Sequence, residues 1–284
     1  MAEKLPRLEP DGLPTPNVGA WGERKYRLVS NYAAMFARSM KLKWECRVYI
    51  DLFAGSGRAQ LEGTSRIVPG SPLLALMNSE RFDRYVFCET DPGKMAALRK
   101  RAVDVAPEVT PTFIDGDANE AVGDILAALP RPRSGYRVLG FCFVDPYNIG
   151  NLRFETIRRL SERYMDFLVL IPSYMDANRN RAIYVQEENL AVERFLGRPE
   201  WREQWAAAEK TKQDFGAFVA NAFGEEMAKR EFLYESLADM EQIRSRNRPL
   251  YHLGFFSRHE LGAKFWRQAR KYSVDQTGFP FMEE

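Results

Sequence analysis

The sequence predicts an α/β fold in which a mainly parallel sheet is covered by helices on both faces. Short, continuously apolar segments alternate with segments of helical periodicity after residue 47, which is the pattern of parallel strands buried on both faces. The first apolar segment ends in an acid, Asp51, followed at once by a turn with two glycines, Gly55 and Gly57. Two strand-like segments joined by a short polar stretch near residue 245 predict a hairpin at the end of the sheet.

Length and composition are those of one large domain or of a domain with an insertion. The chain has 284 residues, 45% hydrophobic and 28% charged, which is ordinary for a globular protein. A formal charge of +2 neither requires nor excludes a polyanionic partner. No apolar run approaches the roughly 18 residues of a membrane span, and the start lacks the apolar core of a signal peptide. The three cysteines are far apart, so we expect buried thiols, no metal site and a cytoplasmic protein.

The first two thirds of the chain alternate between strands and helices. Residues 1–19, rich in proline and charge, are expected to form an irregular N-terminal arm, and residues 60–70 a loop. A helix over residues 20–43 is predicted because Tyr26, Val29, Ala33 and Phe36 have helical spacing. The remaining apolar runs predict strands at 47–52, 85–89, 111–114, 138–144 and 167–171, and the patterns between them predict helices at 72–78, 92–103, 119–128 and 154–164.

The pattern changes after the fifth strand. Residues 182–229 are charged and helical without a strand pattern, and Trp201 and Trp205 fall on one helical face. We therefore expect a helical insertion at about residues 176–230 inside a domain that spans 20–284. Strands at 231–240 and 249–256 would form the hairpin, and residues 259–271 the final helix.

The turn after the first strand is the first candidate site. Its glycines allow positive φ angles and a close approach of the backbone to a ligand, and it lies where open α/β sheets bind ligands. A plain strand-to-helix turn would have the same pattern, but the spacing argues against the G-x-G-x-x-G loop of a generic dehydrogenase. The candidate ligand-binding residues here are Asp51, Phe53, Ala54, Gly55, Ser56 and Gly57.

Acids also follow the second and third strands. Glu89, before Thr90, can accept hydrogen bonds from both hydroxyls of a ribose. Asp117, before Ala118, can accept a hydrogen bond from the exocyclic amine of an adenine, or it can cap the next helix. Both roles of Asp117 can coexist, because one carboxylate oxygen suffices for the cap.

The fourth motif follows the most apolar strand and comprises Asp145, Pro146, Tyr147 and Asn148. Pro146 restricts Asp145 to an extended conformation. Asp145 and the local carbonyls could then accept from a nucleophilic N–H, and Tyr147 could stack on a flat substrate. The segment resembles the D-P-P-Y motif of amino-methyltransferases that act on nucleobases, although the second proline is absent.

Taken in order, the four strand-end motifs resemble those of class I S-adenosyl-L-methionine (SAM) methyltransferases. The resemblance implies a Rossmann-like class I methyltransferase fold with SAM as cofactor. The loop from Asp51 to Gly57 would border the methionine part, Glu89 and Asp117 would hold the nucleoside, and Asp145 would border both the cofactor and the acceptor.

The chain is also similar to the three-Cys-motif partner proteins over most of residues 20–272. This resemblance implies a bacterial methyltransferase-like protein with an iron–sulfur partner, which carries the three-Cys motif of the name. It rests on the segments WGERKY at 21–26, YIDLFAGSG at 49–57, GSP at 70–72, FVDPY at 143–147 and YHLGFFS at 251–257.

The leading interpretation is SAM-dependent methyl transfer to a nitrogen or oxygen of a planar acceptor, with Asp145, Pro146 and Tyr147 as the catalytic segment. The candidate substrate or lid residues are Lys25, Tyr32, Asn148 and Tyr174. Basic residues favour a nucleobase or nucleoside-like acceptor. They are Arg24, Lys25, Arg27, Arg38, Lys41 and Lys43 near the start and Arg244, Arg246 and Arg248 at the hairpin tip.

Two alternatives remain open. A small-molecule methyltransferase, for instance in natural-product tailoring, would use residues 176–230 as the wall of a closed pocket. A non-catalytic SAM- or nucleotide-binding subunit of an iron–sulfur protein would need no catalytic base. The two histidines, His252 and His259, fall in a strand and at a helix start, where we expect structural roles.

Overall fold

The computed structural model describes residues 5–245 and 248–274. The strands are β1 (Asn17–Val18), β2 (Cys46–Asp51), β3 (Arg58–Leu61), β4 (Ile67–Pro69), β5 (Arg84–Glu89), β6 (Thr112–Asp115), β7 (Val138–Val144), β8 (Met165–Ile171), β9 (Glu241–Ser245) and β10 (Arg248–Phe256). The helices are α1 (Gly22–Met40), α2 (Ser71–Met77), α3 (Pro92–Val105), α4 (Val122–Ala128), α5 (Phe154–Leu160), α6 (Arg181–Tyr184), α7 (Ala191–Leu196), α8 (Trp201–Lys210), α9 (Phe215–Ala228) and α10 (Glu260–Val274).

Seven strands form the central sheet, in the order β6–β5–β2–β7–β8–β10–β9. The first five are parallel, and β10 is antiparallel to both β8 and β9. β2 lies in the middle of the sheet, β5 and β6 are added on one side of it, and β7 and the later strands are added on the other side. The strand order therefore reverses between β2 and β7, which is the switch point of the sheet. This is the class I methyltransferase arrangement, so the predicted Rossmann-like fold with a terminal antiparallel hairpin is confirmed.

Alternate residues of the central strands lie in two separate cores. Val48 and Ile50 of β2 pack with α4 and α5, whereas Tyr49 packs on the other face with α1, α2 and α3. Because both faces are covered, every residue of β2 is buried, which explains its continuous apolar pattern. All three cysteines are buried and free, as expected.

The prediction of a loop at residues 60–70 is wrong, because β3 and β4 form an antiparallel hairpin there. β1 of the N-terminal arm pairs in parallel with β3, which completes a small second sheet. Ala59 and Leu61 of β3 are buried in a minor core with Val68, while Arg58 and Gln60 are half-buried. This two-residue alternation is a strand pattern that the sequence carried.

The first hairpin strand lies at Glu241–Ser245, so the expectation of a strand at 231–240 is wrong. Phe232 is buried in the core, and a 3-10 turn follows at Leu237–Asp239. Ser236 caps this turn, with Asp239 completing a capping box, and these local hydrogen bonds compete with a strand. Arg246 and Asn247 of the predicted tip lie outside the described residues.

The predicted helical insertion between β8 and β9 is confirmed. It begins with a π-helical turn at Ser173–Asn178 and continues through α6 to α9. Trp201 and Trp205 are buried against Phe215, with ring centroids 6.2 and 4.8 Å from its ring. None of the described helices is both long and apolar enough to cross a membrane.

Candidate cofactor and acceptor site

The four strand-end motifs converge at the carboxyl edge of the sheet. β6, β5, β2 and β7 are parallel neighbours, so their last residues lie side by side. The register places Asp51 between Phe87 of β5 and Phe143 of β7, and Glu89 beside Asp115. The turn after β2 therefore lies between the acid that ends β5 and the segment that follows β7.

Both glycines of the first turn are required by its geometry. Gly55 and Gly57 have φ angles of 64° and 82°, which favour glycine. A Cβ at Gly57 would lie 3.0 Å from Leu98 and 3.1 Å from Leu73, so this glycine also permits close helix packing. A Cβ at Gly55 would meet no atom within 4 Å. Open space at Gly55 suits the close approach of a ligand to the backbone.

Glu89 is held rigidly beside this turn. Its Oε2 accepts the Gly55 N–H at 2.8 Å and its Oε1 accepts the Asp91 N–H at 2.9 Å. Thr90, the next residue, is exposed. A carboxylate oxygen has a second lone pair, so Glu89 can fix the loop and still accept hydrogen bonds from two ribose hydroxyls.

Asp117 caps the turn before α4 with one oxygen. Its Oδ1 accepts the N–H groups of Asn119 and Glu120 at 2.8 and 3.4 Å, and its Oδ2 has no hydrogen-bond partner among the described residues. Ala118 is buried behind it. A polar cavity of about 510 Å³ adjoins this turn and is lined by Asp117, Asn119, Arg153, Asn189 and Arg194 among others.

Asp51 is completely buried at the end of β2. Burial raises its pKa to about 7, and Asp145 contributes to the rise, against the lowering effects of Ser71, the Phe53 N–H and the Tyr49 hydroxyl. A carboxyl group in this range is sensitive to any cation that enters the site.

Lys25 of α1 forms an ion pair with Asp145, with Nζ 2.5 Å from Oδ2. The side chains are 11% and 18% exposed, so the pair is largely shielded from water. Burial opposes the charge of Lys25, but the Asp145 carboxylate outweighs it and raises the Lys25 pKa above its usual value. Lys25 therefore neutralises and orients Asp145.

The residues after Asp145 have different environments. Pro146 is buried, whereas Tyr147 is 84% exposed. Asn148 caps the short 3-10 turn Ile149–Asn151 through a capping box. Tyr147 is thus available to a ligand, while Asn148 shapes the backbone.

Three residues of the first turn contribute mainly through structure. The Ser56 side chain is buried and donates to the Arg58 carbonyl at 3.1 Å. The Ala54 N–H donates to the Cys88 carbonyl at 2.9 Å. Phe53 packs against the larger core.

Tyr32 does not belong to the site, which corrects its predicted lid role. Its side chain is fully buried, and its hydroxyl donates to Asp166 Oδ2 at 2.7 Å near the amino end of β8. The side chain lies at the opposite edge of the sheet from Lys25, because α1 runs from the carboxyl edge to the amino edge.

Tyr174 lies at the carboxyl end of β8, in the π-helical turn. Its ring centroid is 5.7 Å from that of His252, which approaches Ser173 Oγ with Nδ1 at 2.9 Å. Burial lowers the His252 pKa to about 4. His252 is therefore a neutral packing partner of Tyr174, as its strand position suggested.

Three further residues around this site have no motif in the sequence that marks them as site residues. Tyr26 and Tyr251 surround the Lys25–Asp145 pair, whose charges act on both phenols. Burial raises the Tyr251 pKa, and its hydroxyl has no hydrogen-bond partner among the described residues. The YHLGFFS segment contained Tyr251, but its apolar strand pattern gave no sign of a polar role.

Asp176 is the third. It accepts the Ile149 N–H at 2.8 Å and the Tyr184 hydroxyl at 2.9 Å, so it joins the segment after β7 to the insertion. Asn180 donates to the same carboxylate at 2.8 Å. No motif in the sequence pointed to Asp176.

The basic residues predicted to favour a nucleobase acceptor do not form one surface, because some lie at the amino ends of the strands and others at the carboxyl ends. Lys43 lines a cavity with Asp166 at the amino edge, and Lys41 pairs with Glu80, so neither extends the surface near Asp145. Arg24 forms an ion pair with Glu241, and Lys25 is engaged by Asp145. Arg246 lies outside the described residues.

Comparisons with solved structures find several methyltransferases. Trm1 from Pyrococcus horikoshii, in complex with SAM, is 10% identical over 95% of this chain and 63% of its own, with a TM-score of 0.47. Magnesium protoporphyrin IX methyltransferase from Synechocystis PCC 6803 is 10% identical over 82% and 83%, with a TM-score of 0.41. An rRNA methylase from Streptococcus thermophilus is 9% identical over 84% and 96%, with a TM-score of 0.40.

No protein-family model and no curated protein matches the chain. The fold assignment therefore rests on the strand order, the antiparallel hairpin and the convergence of strand ends in this chain itself.

Proposed function

We propose that the protein is a SAM-dependent methyltransferase that acts on a nitrogen or oxygen of a planar acceptor, favouring a nucleobase or nucleoside-like group. The observation that carries the proposal is the convergence of the Gly55–Gly57 turn, Glu89, Asp117 and Asp145 on the carboxyl edge of a class I sheet. Open space at Gly55 and acceptor capacity on Glu89 and Asp117 fit the two ends of SAM.

SAM supplies a methyl group on a positively charged sulfur. Asp51 and Asp145 provide two acids against the single ammonium of Lys25, which favours binding of such a cation. Asp145 would orient the acceptor and accept its hydrogen bond. Holding two reactants in line can lower the barrier by roughly 7–11 kcal/mol, so a strong general base is unnecessary.

A planar acceptor is supported by Tyr147. Its ring is 84% exposed and lies two residues after Asp145, where it can stack on a flat substrate. If the acceptor is a base in a duplex, that base must leave the stack to reach Asp145. The helical insertion would then contact the nucleic acid around it.

The small-molecule alternative is supported by the polar cavity of about 510 Å³ between the Asp117 turn and the insertion. In that case the insertion would close over a free acceptor. The salt dependence of oligonucleotide binding separates the two, because phosphate contacts lose affinity steeply as salt rises. Binding unchanged between low and moderate salt would count against a nucleic-acid acceptor.

The cofactor is tested by thermal shift with SAM, S-adenosylhomocysteine, NAD and ATP. A ligand at about 100 times its dissociation constant stabilises the native state by about 2.7 kcal/mol. We expect a shift with SAM and S-adenosylhomocysteine, and a loss of that shift in Glu89→Ala. No shift with either compound would overturn the proposal.

The resemblance to three-Cys-motif partner proteins adds a proposed partner, an iron–sulfur protein, and the alternative of a non-catalytic subunit. Binding of SAM without methyl transfer to nucleic-acid or small-molecule pools, with transfer gained on adding the purified partner, would support the subunit role. Transfer by the isolated chain would support the enzyme.

A further inference from the structure

Arg101 of α3 is a fully buried charged side chain that lies behind the first turn. Its Nη1 donates to the Ser56 carbonyl at 2.7 Å. Ser56 stands between the two glycines with positive φ, so this hydrogen bond acts on the centre of the turn. Glu89 holds the same turn at the Gly55 N–H from the other side.

Among the described residues, the other hydrogen bonds of the Arg101 guanidinium are all with residues 11–15 of the N-terminal arm. Nε and Nη2 donate to the two Asp11 oxygens at 2.8 and 2.7 Å, which is a bidentate pair. Further donors reach the carbonyls of Leu13 and Pro14 and the Thr15 hydroxyl, at 3.3, 3.0 and 3.0 Å. The Arg101 hydrogen bond lowers the pKa of Asp11.

The arm is also attached to the small second sheet. The Leu8 N–H donates to the Ile67 carbonyl at 2.9 Å, and β1 pairs with β3. The Leu5 side chain is buried in the minor core. Since β3 begins directly after Gly57, the arm contacts both the turn and the strand that leaves it.

We propose that the docked N-terminal arm supports the cofactor site from behind, with Arg101 as a positioning residue that couples arm docking to the conformation of the Gly55–Gly57 turn. This inference rests on the proposed function for the identity of the ligand. A buried arginine without its carboxylate partner is strongly unfavourable. When the arm undocks, the Arg101 guanidinium is therefore expected to leave its buried position, and the Ser56 carbonyl loses its hydrogen bond. Arm docking and SAM binding must then favour each other reciprocally.

The test compares Arg101→Lys with Arg47→Lys. Arg47 is also buried and bonds to Asp83 and to the Ala37 carbonyl, but it lies at the opposite end of β2. Hydrogen exchange of residues 55–58 is measured without ligand, and SAM affinity by calorimetry. In Arg101→Lys we expect the hydrogen-exchange rate of residues 55–58 and the dissociation constant of SAM to rise roughly tenfold, which is the usual scale for a lost charged hydrogen bond. In Arg47→Lys we expect both quantities to stay unchanged.

Asp11→Asn provides a milder variant if Arg101→Lys does not fold. It leaves the Ser56 contact and weakens the arm, and we expect a smaller change in the same direction. In the wild type, SAM should slow tryptic cleavage after the exposed Arg7. Equal exchange and equal SAM affinity in the wild type and both variants would overturn the proposal. If the wild type binds no SAM, the proposed function fails, while the exchange comparison still decides whether the arm supports the turn.

Discussion

Two buried carboxyl groups lie at opposite edges of the same sheet. Asp51 ends β2 at the carboxyl edge, and Asp166 lies near the amino end of β8. Burial raises the pKa of both, to about 7 and about 6. Both acids have hydroxyl partners, which are Tyr32 and Ser257 at Asp166 and Tyr49 and Ser71 at Asp51. Asp51 differs in that a second carboxylate, Asp145, also raises its pKa.

A raised pKa and a nearby cavity therefore do not by themselves mark a cofactor site. Asp166 borders a cavity of about 340 Å³, but the groups that act on its pKa besides burial, Tyr32, Ser257 and His259, all lower it. At the carboxyl edge two acids face one lysine, and the Tyr251 hydroxyl is unpaired among the described residues. That imbalance supports the proposed binding of a cationic ligand at this edge.

The strongest test of this contrast is Asp51→Asn. Because the folded-state pKa of Asp51 is raised from 3.8 to about 7, its ionisation costs stability as pH rises from 4 to 7. We expect Asp51→Asn to be more stable than the wild type by up to about 4 kcal/mol at pH 8 and equal to it near pH 4. Urea unfolding at both pH values measures this. A difference independent of pH would contradict it.

The same titration predicts the pH dependence of ligand binding. SAM carries a positively charged sulfur. It should bind the wild type more tightly at pH 8 than at pH 6, because Asp51 is mostly ionised at pH 8. Asp51→Asn should lose this dependence.

Lys25→Met should destabilise the protein by about 3 kcal/mol, because it leaves the largely buried Asp145 without its partner. The double variant Lys25→Met/Asp145→Asn should recover most of the loss. Lys41→Met is the control, because the Lys41 side chain in its ion pair with Glu80 is 55% exposed. We expect this variant to lose less than about 1 kcal/mol of stability. Additive losses in the double variant would argue against the pairing.

At the amino edge, Tyr32→Phe removes a donor to Asp166. Since the hydroxyl lowers the Asp166 pKa, its loss penalises the ionised carboxylate. We expect a loss of about 1–2 kcal/mol above pH 7, less at pH 5, and an unchanged SAM-induced thermal shift. A reduced SAM shift at equal folding would return Tyr32 to the cofactor site.

The smallest expected effect concerns Tyr251. Tyr251→Phe removes an unpaired buried hydroxyl and should leave stability unchanged or raise it by about 1 kcal/mol. Tyr85→Phe, whose hydroxyl accepts the Phe82 N–H at 3.0 Å, should lower stability by about 1 kcal/mol. If both variants behave alike in urea unfolding, the Tyr251 hydroxyl has a partner.

The sheet and the first elements of the site were predictable because they depend on local patterns. Continuous apolar runs identify strands buried on both faces, and an acid or a glycine turn at the end of such a run is visible in one dimension. The β3–β4 hairpin was missed although its alternation was present, and the strand expected at 231–240 was displaced by the capped turn at Leu237–Asp239.

The α/β class and the positions of Asp51, Gly55, Gly57, Glu89 and Asp145 at the ends of parallel strands follow from period and adjacency along the chain, so the sequence predicts them. Tertiary structure alone decided that Lys25 meets Asp145, that Tyr32 lies at the other edge and that Arg101 joins the arm to Ser56. Those contacts join residues 45 to 134 positions apart. They depend on the direction in which helices cross the sheet and on burial, which sets the strength of each charge interaction.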